Sequence, residues 1–349
     1  MSYDNVVPPV KDKKLWRKQL KSHLATERAR FLWQYRSIDE TVLAEHLVID
    51  DWTPKDLLAH VGLWDAFLAN RMQMVGNGLS PRRRGSRLQE IQNLGDDGMA
   101  RRNAKLQAQY KSVPLEQALA ICLKERSGFN ALLKRIPDDE LHQKITFPWG
   151  EQSQMSLWAT WRYQHDADHT NEMLTWRQQL LQEQIRQTGP KYILRAILKS
   201  TRKAFESLIP LIAESERNTL PVCGVWTVKD VIGHLTDWEK VGVHGLLQVA
   251  TGHSSNFDTV IDDFDTFNSQ KAALRRGQSW AFVWSDFNET RQKMLDLLEQ
   301  IPDEMMSRPF QAAWGSQATP YYFATIFAEH EMEHAADVQA HCTVDTPLL

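Results

Sequence analysis

Six of the twelve histidines in this chain recur as two sets of three. His60 ends the stretch Trp52-Thr-Pro-Lys-Asp-Leu-Leu-Ala-His60, and His234 ends Trp226-Thr-Val-Lys-Asp-Val-Ile-Gly-His234, 174 positions further on. His165-Asp-Ala-Asp-His169 follows Trp149-Gly150, and His330-Glu-Met-Glu-His334 follows Trp314-Gly315, 165 positions further on. Two His four apart on a helix leave one face with Cβ atoms roughly 5–6 Å apart. That spacing lets two imidazoles converge on one metal ion. A third His from a neighbouring helix makes three protein ligands and leaves a position for water or substrate, the pattern of a catalytic zinc site rather than a closed structural one. Imidazole ligands suit zinc, nickel, iron or copper, and affinity order alone does not choose among them.

A single such motif would carry little weight. With 12 His in 349 residues, about 0.4 His-x-x-x-His pairs are expected by chance. The chain has two, each preceded by a His in a matching Lys-Asp-x-x-x-His segment. Core packing does not require that all three positions stay His in two halves that otherwise differ widely. The expected metal ligands are therefore His60, His165 and His169 in the first half and His234, His330 and His334 in the second.

Acidic residues accompany the pairs. Asp168 matches Glu333, and Glu172 matches Asp337, three residues after the second His. They are candidates for carboxylates that orient a ligand His or for a base that activates water; a solvated helix face is the competing reading. Trp64 and Trp238, four residues beyond the upstream His, share its face and are expected to pack in the core ahead of lining a pocket. Lys55-Asp56 and Lys229-Asp230 read as helix-start chemistry. His142, His244, His253 and His341 have no partner in the other half and read as structural or surface residues.

The elements that must position these groups read as helices. Lys11 to about Arg36 is periodic and free of Gly and Pro. Thr53, with Pro54 at the first helical position and Asp56 three residues on, opens a second helix, and Thr227 with Asp230 does the same in the second half. A third helix runs from about Pro114 to Arg135 and ends at Ile136-Pro137, with a counterpart from about Ser279 to Gln300 ending at Ile301-Pro302. The fourth, from about Met155 to Leu180 and from Tyr321 to His341, carries the His pair. Asn103 and Asn268 open the polar stretch before the third helix. The offset falls from 174 to 165, so the first half holds nine extra residues between its second and third helices, where Arg82, Arg83, Arg84 and Arg87 form what reads as a solvated loop. Alternating β-branched runs are scarce. The fold class expected is all-α, two tandem four-helix bundles, at 11–182 and 191–342. A Gln-rich linker at 183–190 ends in Gly189-Pro190.

Composition narrows the function classes. A length of 349 residues suits two domains. With 42% hydrophobic and 24% charged residues and a mean hydropathy of -0.47, the chain is of ordinary globular type. A net charge of -3 argues for neither nucleic acid nor an anionic membrane as partner. Cys122, Cys223 and Cys342 are odd in number and unpatterned, which points to a reducing compartment without disulfides. None recurs at the repeat offset, so none is expected as a duplicated nucleophile. No stretch approaches 18 apolar residues, and a cytoplasmic location is expected.

The pattern Trp-Thr-x-Lys-Asp-h-h-x-His-h-x-x-Trp with an acidic residue next, then a segment such as Asp262-Asp-Phe-Asp-Thr-Phe-Asn268, then His-x-x-x-His, resembles the DinB superfamily, and within it the branch of ClbS/DfsB-type proteins. The second half matches better; the first departs at Asp97–Asn103, which reads Asp-Gly-Met-Ala-Arg-Arg-Asn. The resemblance covers most of residues 11–342. It implies four-helix bundles, each with a divalent metal (zinc or nickel) on its three His, thus two per chain. It also implies chemistry of the hydrolase or thiol/group-transferase kind on a small electrophilic molecule, with a low-molecular-weight thiol as co-substrate. A metal-stabilised protein that binds or sequesters a small molecule is the alternative. Members are often homodimers, so a tandem chain is expected as a monomeric pseudo-dimer, its halves related by a pseudo-twofold, or as a homodimer.

Overall fold

A computed structural model describes residues 11–76, 98–146, 152–180, 187–252 and 260–342. Trp149-Gly150, the Arg82–Arg87 cluster, Asp97, His253 and the first part of the linker lie outside the described residues. The chain divides into two compact units. Of the described residues, one takes 11–34 together with those of Glu40–Gln179; the other takes Tyr35–Asp39 and those from Leu180 to 342.

The first unit is built on four long helices: α1 (Lys13–Trp33), α3 (Pro54–Gly76), α5 (Leu115–Arg135) and α7 (Met155–Leu180). Shorter helices α2 (Glu40–Glu45), α4 (Gly98–Tyr110) and α6 (Asp138–Leu141) join them. The second unit has α8 (Lys191–Leu208), α9 (Val228–Ala250), α11 (Trp280–Gln300) and α12 (Pro320–His341), with the shorter α10 (Phe264–Arg275). Sheet among the described residues is confined to three antiparallel pairs, β1 (Ile145–Thr146) with β2 (Gln152–Ser153), β3 (Pro221–Cys223) with β4 (Trp226–Thr227), and β5 (Phe310–Gln311) with β6 (Gln317–Ala318). The chain is all-α in two domains.

Local chemistry sets the helix starts. Thr227 and Asp230 form a capping box at α9, side chain to backbone in both directions. Thr53 and Asp56 repeat it at α3, with the Thr53 N–H donating to Asp56 Oδ2 at 3.0 Å and the Asp56 N–H to Thr53 Oγ1 at 3.2 Å. Such boxes satisfy orphan N–H groups of the first turn. Thr319 caps α12, whose first residue is Pro320, and Ser279 caps α11. Pro137 and Pro302 follow the ends of α5 and α11, as the sequence predicts. Asn103 and Asn268 lie in a polar stretch ahead of the third helix, as the spacing predicts, and in each half that stretch is itself a helix, α4 or α10.

Apolar faces fill each core. In the first unit Leu20, Leu24, Met72, Phe129 and Trp158 pack together; in the second Phe205, Ile232, Leu235, Phe287 and Val338 do. Each large side chain so buried contributes about 1.5–3 kcal/mol. Gly62 on α3 lies against the backbone of α5 at Cys122: a Cβ there would lie 2.7 Å from Cys122 Cα. No other residue allows that approach.

Through these apolar cores runs a buried lattice of ion pairs. In the first unit Asp65 and Asp166, both with no exposed surface, sit among Arg28, Arg126 and Arg162. Arg28 donates to Asp65 at 2.9 Å and to Asp166 at 3.0 Å; Arg126 donates to both at 2.9 Å. Arg162 donates to Asp65 at 2.7 Å. In the second unit Glu239 and Glu331 take the acid positions and Arg202 and Arg291 the basic ones. The arginines also reach carbonyl oxygens on neighbouring helices, Arg126 to Leu24 and Arg202 to Phe287, so that four helices are tied at one level. Burial works against ionisation of Asp65, but Arg126, Arg162 and Arg28 more than reverse it and hold the carboxyl below its usual range.

A buried ion pair adds little net stability over an apolar filling, but removing one partner strands the others. Asp65→Ala leaves three buried guanidiniums around one carboxylate. We expect it to lose about 3–5 kcal/mol of first-unit stability in urea denaturation. A loss under about 1 kcal/mol would show that the lattice is solvated rather than buried.

Candidate metal centres

The lattice fixes how the His-bearing helices are rotated. Asp166 is the neighbour of His165, and its carboxylate is drawn into the core between Arg28 and Arg126. With that residue turned inward, His165 and His169 face α3, where His60 lies five residues before Asp65. Glu331 beside His330, and Glu239 five residues after His234, repeat the arrangement on α12 and α9.

The result is two convergent triads. In the first unit His60 Nε2 is 3.0 Å from His165 Nε2, which is 3.3 Å from His169 Nε2. In the second, His234 Nε2 is 2.9 Å from His330 Nε2. The His334 ring centroid lies 4.8 Å from that of His330 and 5.1 Å from that of His234. In both sets the ring nitrogens lie within 4.8 Å of one another. Tetrahedral coordination at a zinc–nitrogen distance of 2.0–2.1 Å puts ligand nitrogens about 3.3 Å apart. The six His brought together are those the repeat singles out.

Donor chemistry fits a cation as well as the spacing does. His169 Nδ1 lies 2.6 Å from Glu172 Oε2 and His334 Nδ1 lies 2.9 Å from Asp337 Oδ2. A carboxylate only accepts, so each of these rings carries its proton on Nδ1 and turns the Nε2 lone pair toward the other rings. His60 Nδ1 is buried without a hydrogen-bond partner. Burial lowers the His60 pKa to about 2, helped by His169 and Arg162, and lowers His165 well below its ordinary value. Burial together with the neighbouring imidazoles takes His234 to about 3 and His330 to about 4. Neutral imidazole is the ligating form.

The remaining expected residues divide. Glu172 and Asp337 touch triad rings, whereas Asp168 is exposed on α7 and Glu333 is exposed on α12 at the edge of a cavity. Trp52 and Trp226 stand against His60 and His234, with ring centroids 4.9 and 4.5 Å away. Trp64 is buried and donates from Nε1 to Asn103 Oδ1 at 3.2 Å; Trp238 donates to Asn268 at 2.9 Å. Core packing describes Trp64 but not Trp238, which is half-buried and lines the cavity. That cavity, of about 560 Å³, opens beside His234 and His330 and is walled by Trp238, Phe264, Trp314, Tyr322 and Phe327, with Asn268, Glu329 and Glu333 as polar members. Cys223, on β3, lies with His334 and Asp337 in one cluster; burial and its hydrogen bond with Asp337 raise its thiol. Ile49 stands at its repeat position, so the duplication offers no clue to it.

A helical unit in which three imidazoles converge, beside a cavity in the second unit, defines a helical bundle with a candidate metal site. The family comparison agrees: the DinB superfamily model matches residues 23–173 and again 197–338, and the chain belongs to that superfamily as a tandem, two-domain member. No curated protein and no solved structure matches the chain.

The depressed His values set a pH dependence for the metal-free chain. The unfolded chain takes up protons near pH 6.5, whereas folded His330 and His234 resist protonation until about 4 and about 3. Stability from these rings is therefore full above pH 6.5 and is lost as pH falls below it. Urea denaturation of metal-free protein should show the second unit weakening by more than about 1 kcal/mol between pH 6.5 and 4. His234→Asn with His330→Asn should flatten that slope, and a wild-type profile already flat would contradict the burial argument.

Proposed function

We propose that the chain is a metal-dependent enzyme of the hydrolase or thiol/group-transferase kind, acting on a small electrophilic molecule, with His234, His330 and His334 as the ligands of its working site. The observation that carries this reading is the meeting of three imidazoles, two of which, His234 and His330, line a largely aromatic cavity. Zinc and nickel are the cations that the resemblance to the superfamily implies, and imidazole donors accept either. A cation held there supplies Lewis acidity at neutral pH. The cavity volume falls in the range of small-molecule sites.

The chain's own residues supply the rest. Asp337 accepts from His334 Nδ1 and so keeps the Nε2 lone pair inward. Asn268 holds the Trp238 indole as one wall of the cavity. Phe264, Phe327 and Trp314 exclude water around a substrate and favour an apolar or aromatic body on it. Glu333, at the cavity edge one residue before His334, is placed to take a proton from an incoming nucleophile such as a thiol. Electrophile detoxification or resistance is the setting that such chemistry suits.

A metal-stabilised protein that only binds a small molecule shares the triad and cavity, and turnover separates the two. Metal-loaded protein given a low-molecular-weight thiol and a panel of small electrophiles should consume thiol, with chelation abolishing the rate. His334→Ala should lose both second-site metal and at least 100-fold in rate, about 2.7 kcal/mol of barrier. Tight metal uptake with no turnover across thiol and water acceptors would favour the binder. Absence of metal uptake would overturn both.

A further inference from the structure

The two triads differ in the buried residue that stands behind one ligand ring. Three residues before His165 stands Arg162; three residues before His330 stands Phe327. Arg162 is almost wholly buried, donates through Nε to Asp65 and through Nη2 to the Val61 carbonyl at 3.1 Å, and brings Nη2 to 3.3 Å from His165 Nδ1. A guanidinium has donors only. His165 Nδ1 is therefore the acceptor, and the neutral ring carries its proton on Nε2, the atom turned toward His60 and His169. From there it donates into two acceptors, 3.0 and 3.3 Å away.

That arrangement opposes ligation. A metal on His165 Nε2 would send the ring proton to Nδ1, where it would meet a guanidinium N–H head-on. Relief requires Arg162 to abandon Asp65 and the Val61 carbonyl inside the core. The first-unit lattice also carries an unbalanced cation, three arginines on two aspartates, against two arginines on two glutamates in the second. The surroundings are built around each choice. Glu239 and Glu331 are one methylene longer than Asp65 and Asp166 and meet their arginines without a third. Phe327 fits because Gly242 lies against it, where a Cβ would be 2.5 Å from the Phe327 ring; the matching residue in the first half is Leu68.

We infer that Arg162 locks His165 in the non-ligating tautomer, so that the second unit's triad is the high-affinity metal site and the first holds together as a hydrogen-bonded imidazole cluster that binds metal weakly. The inference rests on the metal reading above for the second unit, and Arg162 acts as a positioning residue. Altered partners of ligand His change metal affinity by about 10–100-fold, which is the gap expected between the sites.

Zn2+ titration of metal-free full-length variants, followed by native mass spectrometry and calorimetry, tests it. His165→Ala should keep one tight Zn2+, and His330→Ala should bind Zn2+ about 10–100-fold more weakly. Arg162→Met in the His330→Ala background should recover that affinity. Equal affinity in the two His variants would overturn the inference while leaving the metal reading intact; Zn2+ binding in neither would overturn both. Long-range 1H–15N spectra of 15N-His-labelled wild-type protein give a readout that needs no metal and no variant of Arg162. His165 should appear protonated at Nε2, and His169 and His334 at Nδ1. His165 protonated at Nδ1 would refute the lock.

Discussion

Everything in each unit turns on carboxylates buried between arginines. Two acids with no access to water must be matched by guanidiniums and by their donors' geometry, and that demand leaves helix rotation little freedom. Asp166 and Glu331 each adjoin a triad His, so satisfying the acid aims the imidazole. The lattice is better understood as a specifier of orientation than as a source of stability. Apolar packing supplies the stabilisation, and the ion pairs decide which way α3, α7, α9 and α12 face.

The two units satisfy the same demand with different parts. Short aspartates with a third arginine, and longer glutamates with a phenylalanine against Gly242, both close the core around an imidazole triad. The difference is felt at the nitrogen of one ring. A duplication that keeps all six His therefore does not keep two equal sites, because the donor behind a ligand matters as much as the ligand itself.

Much of this was readable before any coordinates. The triads were legible because duplication turns a weak motif into a repeated one, and the caps at Thr53 and Thr227 were legible from side-chain chemistry alone. The arginine–carboxylate lattice was not. A charged residue beside a His on a helix reads as solvated unless the buried face is known, so the pattern does not separate the exposed Asp168 and Glu333 from the buried Asp166 and Glu331. A clue existed in the spacing: Arg28 and Arg202 are 174 apart, Arg126 and Arg291 are 165 apart, and the acids follow the same offsets. Cys223 and the Arg162-to-Phe327 exchange break the repeat, so a search for what recurs passes over them. Helices α4 and α10 present Asn103 and Asn268 to the two tryptophans.

What remains to be tested is whether three imidazole nitrogens share one cation. Anomalous diffraction at the absorption edge of the bound metal, from crystals of the full chain grown with zinc or nickel, measures this directly. The structure requires an anomalous peak bonded to Nε2 of His234, His330 and His334. A peak held by other residues, or well-ordered triads with no peak under metal-saturating conditions, would contradict it.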